Sequence, residues 1–251
     1  VGKASDYGSP FLDFTSSGSF IGGGMKLGNG AVVSGAYFTG NHEEEEMSVI
    51  KLPSTSGVLI EYKENYNNSL LALQVGILEE PDSFMGSSFS GGYGSIDKTL
   101  TYFSGLQASR SFSKFYATGS LFYGKTQTNL SETGLIKSLD GFTSSSFNLG
   151  IFKKSEFDSF GFKIIQPLRL EEANIEMSVP VRRTKYKEVL FDKYDLGLTP
   201  SGREIRAEFI YQRPIPGGSF FTSLGYIKDQ GHVSSDKAEP YIAANWQFYL
   251  F

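Results

Sequence analysis

The sequence predicts an all-β fold, a transmembrane antiparallel up-and-down β-barrel of about twelve strands with short turns at one end and long loops at the other. Three observations carry this expectation. Segments of about ten residues alternate apolar and polar side chains, the period-two signature of strands. The gaps between them are by turns tiny and long. The chain closes on an aromatic-rich strand, Trp246-Gln247-Phe248-Tyr249-Leu250-Phe251. Strands of roughly 9–11 residues, trimmed periplasmic turns and longer outer loops are what a bilayer-spanning barrel requires.

Taken in order, residues 10–16 give a first strand and residues 18–27 a second, which stops at the turn Gly28-Asn29-Gly30. Residues 31–40 and 57–64 follow, before Tyr66-Asn67-Asn68. In 69–78, Leu71, Leu73, Val75 and Ile77 share one side, with Ala72, Gln74 and Gly76 on the other. Residues 97–109 and 115–125 flank the turn Ser111-Phe112-Ser113-Lys114. In 143–153, Phe147, Leu149 and Ile151 oppose Ser146, Asn148 and Gly150. Residues 159–168 come after Glu156-Phe157-Asp158. In 202–213, Ile205, Ala207, Phe209 and Tyr211 oppose Glu204, Arg206 and Glu208. Residues 219–228 follow Pro216-Gly217-Gly218, and 241–251 complete the wall. Soluble sandwiches alternate too, with the opposite sense, so periodicity does not say which face is wet.

Gap length decides. With Phe251 at the periplasmic end and strand direction alternating backwards, every tiny gap falls on the periplasmic side. The long ones (41–56, 79–96, 126–142, 169–201 and 229–240) fall outside, and the one short outer connection is the first, near Ser17. The stretch 169–201 is long enough for a hairpin of its own, with strands at 173–181 and 188–198 projecting above the membrane. Inserting both into the wall gives fourteen strands, and adds connections that no longer sort by length. Twelve is therefore preferred. Residues 1–251 read as a single outer-membrane β-barrel domain, with 1–9 as an N-terminal lead-in.

Composition agrees. Apolar residues make up 39% of the 251, below the usual range of about 45–50%, as expected of a wall with one lipid face and one wet face. Aromatics reach 15%, with 22 Phe and 14 Tyr against one Trp. No run approaches the 18 or so apolar residues of a membrane helix. Without cysteine there are neither disulfides nor thiolate metal sites. A net charge of −4 argues against a nucleic-acid partner. Val1-Gly2-Lys3-Ala4-Ser5 has no apolar signal core, so the expectation is a mature chain or a piece of a longer precursor.

The last strand carries the expected insertion signal for the barrel assembly machinery, with Trp246, Phe248, Tyr249 and Phe251 as its aromatic residues. Strand addition is the recognition mode. Gln247 and Asn245 interrupt the Tyr249/Phe251 parity, leaving Ile242, Ala244, Trp246, Phe248 and Leu250 as the more lipid-like face.

Several stretches resemble the C-terminal translocator domain of autotransporters whose passenger is a subtilisin-like serine protease. They are Asp6-Tyr7-Gly8 with Phe11-Leu12-Asp13-Phe14, then Gly76-Ile77-Leu78-Glu79-Glu80-Pro81-Asp82-Ser83-Phe84-Met85-Gly86-Ser87. More specific are Phe162-Lys163-Ile164-Ile165-Gln166-Pro167-Leu168-Arg169 and Thr199-Pro200-Ser201-Gly202-Arg203-Glu204. The tail element Asp229-Gln230-Gly231-His232 departs from the pattern at Gln230, where Pro is expected. The resemblance implies a bacterial outer-membrane pore that anchors and helps export an N-terminal passenger, linked or cleaved. Its partners would be outer-membrane lipid, lipopolysaccharide and the assembly machinery, and it would need no cofactor. No passenger, and no helical linker to thread the pore, is read in this chain.

Charges on the wet side, Lys26, Glu61, Lys63, Lys163, Glu204, Arg206 and Glu208, are expected to line the lumen, either as a structural network or against a transiting polypeptide. Other candidate chemistry is thin. His232-Val233-Ser234, with Asn245 downstream, resembles the His-x-Ser arrangement of outer-membrane phospholipase; catalysis needs Ser within reach of an oriented His. The alternative is a polar outer loop. Asn41-His42-Glu43-Glu44-Glu45-Glu46 could gather divalent cations, although a solvated loop tip accounts for it. The Gly22–Gly24 run and Ser90-Gly91-Gly92-Tyr93-Gly94 lack the strand–loop–helix context of a phosphate cradle. The basic loop Arg182-Arg183-Thr184-Lys185-Tyr186-Lys187 reads as solvated, or as touching lipid phosphates or an emerging passenger. A catalytic residue and a metal site are not expected, and the rival functions are a small porin, a barrel phospholipase and a structural adhesion barrel.

Overall fold

The structure, a computed structural model, describes residues 8–15, 18–40, 55–85, 91–130, 134–155, 158–216 and 218–248. Its strands are β1 (Gly18–Lys26), β2 (Val32–Gly40), β3 (Thr55–Tyr66), β4 (Ser69–Pro81), β5 (Ile96–Phe112) and β6 (Phe115–Leu130). The remainder are β7 (Ile136–Lys154), β8 (Ser159–Arg183), β9 (Val189–Gly197), β10 (Ile205–Ile215), β11 (Gly218–Lys228) and β12 (Ala238–Phe248). All belong to one antiparallel sheet in sequence order, except that β9 pairs with β8 alone while the path runs from β8 to β10. The fold is thus all-β, antiparallel and up-and-down.

The tight turns sit on one edge, as the gap lengths predict. Asn67 and Asn68 both take positive φ (45° and 61°) between Tyr66 and Ser69, the two-residue geometry whose twist matches a hairpin. Ser113, with φ of 57°, turns Phe112 back onto Phe115. Asn29 Oδ1 accepts the Ala31 N–H at 3.1 Å, and the Ser155 N–H donates to the Asp158 carbonyl at 2.8 Å. The longer connections, from β4 to β5, β6 to β7, β9 to β10 and β11 to β12, lie on the opposite edge.

One expectation needs correction. Residues 10–16 were predicted as a wall strand, but Pro10–Thr15 is a 3-10 helix. Its consecutive residues Phe11 and Leu12 are both buried, which a strand with alternating faces does not allow. The path therefore holds eleven strands among the described residues, β9 standing off it. The hairpin predicted within 169–201, with strands at 173–181 and 188–198, is present: β9 pairs with the far half of β8, from Asn174↔Gly197 to Arg183↔Val189, and its first strand is a continuation of β8, which runs unbroken for 25 residues. β9 stands off the path, so the path does not hold the fourteen strands of the rival count.

The two faces of the sheet differ: one exposes aliphatic side chains, and the other buries polar ones beside an apolar cluster. Leu71, Leu73, Val75 and Ile77 are 40–55% exposed, whereas Gln74 between them is 1% exposed. Cross-strand register joins such residues into a belt: Ile60↔Val75, Leu73↔Leu106, Leu106↔Leu121, Ile151↔Phe162, Phe162↔Phe209, Phe209↔Leu224 and Leu224↔Ile242. Buried on the other face are Glu61, Gln74, Thr99, Thr101, Thr126, Ser144, Ser146, Gln166 and Glu204.

The buried face also holds an interlock of rings and glycines. A Cβ on Gly57, Gly76 or Gly105 would collide with the ring of Phe38, Phe103 or Phe122 from the next strand, and one on Gly124 with Phe11. Only glycine leaves room for a ring to lie against the neighbouring backbone.

Candidate functional site

The concave face begins at the 3-10 helix. Its main chain runs beside β2 and β3. The Phe11 ring stacks on Phe103 of β5, with centroids 5.0 Å apart, and fills the space over Gly124 of β6. A cavity of about 320 Å³ separates Gly8–Asp13 from Ser120 of β6, Ser146 and Asn148 of β7 and Gln166 of β8. From β2 to β8 is six strand spacings, roughly 29 Å if flat, whereas a six-residue 3-10 helix is only ~12 Å long. The sheet therefore curls around this segment. Phe11, Leu12, Phe38, Leu59, Leu78, Phe103 and Phe122 form its apolar contact, with Phe14, Phe20 and Leu168 packed against them.

At the long-loop end, three distant stretches of sequence converge. Arg169 donates from Nε to the Gly202 carbonyl at 2.9 Å and from Nη2 to the Pro200 carbonyl at 2.8 Å. Its Nη1 reaches Glu171 Oε2 at 2.6 Å. Arg203 donates to both Glu171 oxygens, at 2.9 and 2.6 Å, and to Gln166 Oε1 at 2.5 Å. The bidentate fork is the strong form of this contact. Arg169 is level with Ser145 and Tyr123, the last exposed aromatic of β6 on that face, and Glu171 lies beyond it. Burial pushes the Glu171 carboxyl up; hydrogen bonds from Arg203 and Ser145 and the charges of Arg203 and Arg169 outweigh this and hold it below its ordinary value.

The third stretch follows β11. Glu204 is 3% exposed and accepts the Gly231 N–H at 2.6 Å and Arg206 Nε at 2.5 Å. Its own N–H donates to His232 Nδ1 at 3.0 Å, and His232 Nε2 lies 3.0 Å from the Leu168 carbonyl. An Nδ1 that accepts carries no proton, so Nε2 holds the hydrogen and donates it. Gly202 N–H donates to the His232 carbonyl at 2.8 Å, and a Cβ on Gly202 would strike Val233, Ser234 and Asp229. The backbone N–H groups of Ser235 and Arg203 bind Asp229, holding its carboxyl below the usual range. Backbone groups of β8 and of the connections before β10 and after β11 are thereby fixed by three side chains, Arg169, Glu204 and His232, while Arg203 ties the Gln166 and Glu171 side chains together.

The motif residues Gln166, Leu168, Arg169, Pro200, Ser201, Gly202, Arg203 and Glu204 are all in this junction, Ser201 Oγ accepting the Ser234 N–H at 3.1 Å, while Pro167 lines the cavity. Among the lumen candidates, Lys63 pairs with Glu61 at 3.3 Å and Gln74 donates to Glu61 at 2.7 Å. Lys163 lies over the Phe152 ring at 5.8 Å and is level with Glu208 of β10. Lys26 is exposed, at the turn end of β1. These charges lie at separate places along the sheet. Trp246 is 60% exposed on the belt side, its ring 4.8 Å from Phe220. Phe248 ends β12, and Tyr249 and Phe251 lie outside the described residues, as does the acidic run 41–46. Both His232 ring nitrogens are engaged by backbone groups, which leaves neither aimed at Ser234 as a base requires. Glu171 and His232 were missed as junction residues; the order of the three motifs was their only signal in the sequence.

The chain matches no family model, no curated protein and no solved structure.

Proposed function

We propose that this chain is the outer-membrane translocator barrel of an autotransporter-type secretion system, anchoring and exporting an N-terminal passenger. The observation that carries the reading is the inverted polarity of the sheet: Leu71, Leu73, Val75 and Ile77 face outwards and Glu61, Gln74 and Gln166 face inwards. A belt of that extent exposed to water is a liability, and monomeric soluble proteins rarely tolerate it. Against acyl chains it is the expected outer surface of a barrel with a polar interior. Tyr37, Tyr102, Tyr123 and Tyr226 lie on the exposed side towards the loop edge, and Phe112, Phe115 and Phe160 towards the turn edge. Lys153 sits 5.8 and 5.6 Å from the Phe115 and Phe160 rings. Aromatics at both margins, with a cation among them, suit two headgroup regions. The subtilisin-type autotransporter resemblance supplies the secretion role, and the motifs that carry it meet in one junction.

In this reading the polar interior gives a polypeptide a hydrated route, the helix at Pro10–Thr15 narrows that route, and the Arg169–Arg203–Glu204–His232 junction keeps the outer mouth in shape. Trp246 is the only tryptophan, so its fluorescence reports one place on the belt. In vesicles containing lipids brominated on the acyl chains it is expected to be quenched strongly. A protein that stays monomeric in buffer without detergent and shows no quenching overturns the membrane reading. Export is tested separately: a reporter passenger joined upstream of Val1 is expected to reach the cell surface and become protease-accessible. A barrel that conducts ions but never displays the reporter is instead a porin.

A further inference from the structure

Past the junction, β8 and β9 leave the wall as a two-stranded arm. The last residue of β8 paired with β7 is Met177, and the Ser178 N–H donates to the Leu135 carbonyl at 2.6 Å. Beyond that point residues 179–183 pair only with residues 189–192 of β9. From Arg169 to Arg183 the strand covers roughly 45 Å at its usual rise. Residues 180–183 and 185–199 are all exposed. The tip is a fixed turn. The Thr184 N–H donates to the Glu188 carbonyl at 2.8 Å, the Lys187 N–H to the Thr184 carbonyl at 3.0 Å, and the Glu188 N–H to Thr184 Oγ1 at 3.2 Å. Lys187 closes it with a left-handed φ of 70°.

This turn carries four cations in six residues, Arg182, Arg183, Lys185 and Lys187, in a chain whose net charge is −4. None of the four pairs with a carboxylate among the described residues, whereas Lys193, lower on the arm, is matched by Glu176 at 2.7 Å. Between the lysines, Tyr186 is 75% exposed, with the Lys185 ammonium 5.1 Å from its ring centroid. Like charges held together repel, and a bound anion turns that cost into attraction.

We propose that this tip binds an anionic polysaccharide, its cations meeting sulfate or phosphate groups and the Tyr186 ring stacking on a sugar between them. This rests on the reading of the long-loop edge as the outer face. The planar forks of Arg182 and Arg183 suit tetrahedral oxyanions, and the lysines act as point charges. Arg183 lies opposite Val189 and Arg182 opposite Leu190, so the two guanidinium groups start on opposite faces of the ribbon. A flat bilayer would meet one of those faces only. A linear polymer laid across the end of the ribbon touches both. The length of the arm places that polymer apart from the membrane that holds the barrel.

Binding is read from the fluorescence anisotropy of a labelled heparin octasaccharide with the full chain in neutral detergent. Arg182→Gln, Arg183→Gln, Lys185→Gln and Lys187→Gln together are expected to weaken it about ten-fold or more and to flatten its salt dependence, because counterion release sets that slope. Removing four exposed cations elsewhere, by Lys114→Gln, Arg213→Gln, Lys228→Gln and Lys237→Gln, is expected to change it less than about two-fold, those charges being screened from the tip. Tyr186→Ala in the parent is expected to weaken binding about five-fold and Tyr186→Phe to leave it unchanged, as stacking on the ring requires. No binding by the parent, or equal losses in the two quadruple variants, overturns the proposal. Single-stranded DNA of equal charge bound as tightly overturns the assignment to a polysaccharide. Octasaccharide binding lost on reconstitution with lipopolysaccharide overturns the assignment to a separate polymer. Orientation is scored independently, since the chain lacks cysteine and Lys185→Cys can be labelled on intact cells with a membrane-impermeant maleimide. Absence of label counts against the outward reading of this edge, whereas labelled protein that fails the anisotropy test counts against the polysaccharide site alone.

Discussion

Glu204 and His232 hold each other's backbone: the Glu204 N–H donates to His232 Nδ1 at 3.0 Å, and the Glu204 carboxylate accepts the N–H of Gly231, the residue preceding His232, at 2.6 Å. The link crosses from the start of β10 to the loop after β11, and His232 Nε2 extends it to the Leu168 carbonyl on β8. Three strands that share no local sequence are registered by one imidazole.

Replacing His232 with Ala strands the Glu204 N–H and the Leu168 carbonyl in a buried place. Each orphaned group costs roughly 1–3 kcal/mol, so the unfolding midpoint in detergent is expected to fall clearly. Ser234→Ala, whose side chain holds no bond in this junction, is expected to leave the midpoint within error. A His232→Ala protein as stable as the parent would remove the junction from the account of the mouth.

Glu171 gives the junction a pH dependence. Its carboxyl is held below its ordinary value of 4.5, so the unfolded chain binds a proton more readily than the native one. The stability it contributes is complete above that ordinary value and is lost as pH falls through the lower native one. Melting curves of the parent and of Glu171→Gln are expected to differ at neutral pH and to converge in acid. A constant gap across that window would rule out the carboxylate as the source.

The ring-and-glycine interlock separates two glycines of similar appearance. Gly105→Ala drives a methyl into the Phe122 ring, while a Cβ on Gly23 meets nothing within 4 Å. Overpacking costs about 1–3 kcal/mol, so the first change is expected to lower the denaturation midpoint and the second to leave it almost unmoved. Gly105→Ala paired with Phe122→Leu is expected to recover part of the loss.

Phe11 is fully buried against Phe103. Truncating it to Ala removes the main anchor of the inner segment, a change that typically costs ~3–5 kcal/mol in a packed core. Single-channel recording in planar bilayers is expected to show larger and more frequent conductance steps for Phe11→Ala than for the parent. Identical traces would mean that this helix does not limit the passage.

Much of the wall was legible beforehand because strand faces are written locally. Leu71-Ala72-Leu73-Gln74-Val75 alternates regardless of its neighbours, and Asn67-Asn68 specifies a turn by its own tolerance of positive φ. Residues 10–16 misled for the same reason. Phe11-Leu12-Asp13-Phe14 alternates well enough for a strand, and what places it inside is a socket formed by Gly124 and Phe103, more than ninety positions away. The strands at 173–181 and 188–198 were legible too, but the charges at 169–172 read as a break between the first of them and the strand at 159–168, whereas β8 runs through both. β9 repairs that stretch by pairing with it. The junction was visible as three short motifs in order, but their meeting is a matter of register between β8, β10 and β11, which no one segment encodes.

The interlock on the concave face has a bearing on how such chains diverge. A gap in one strand is cut to the outline of a ring in the next, so neither position is free to drift alone. Among descendants of this sequence, Gly76 with Phe103 and Gly105 with Phe122 should change in concert, a bulkier residue at one site arriving with a slimmer one at its mate. Ancestry would then be inscribed in couples rather than in single letters, and the concave face could keep its shape while its lining was rewritten.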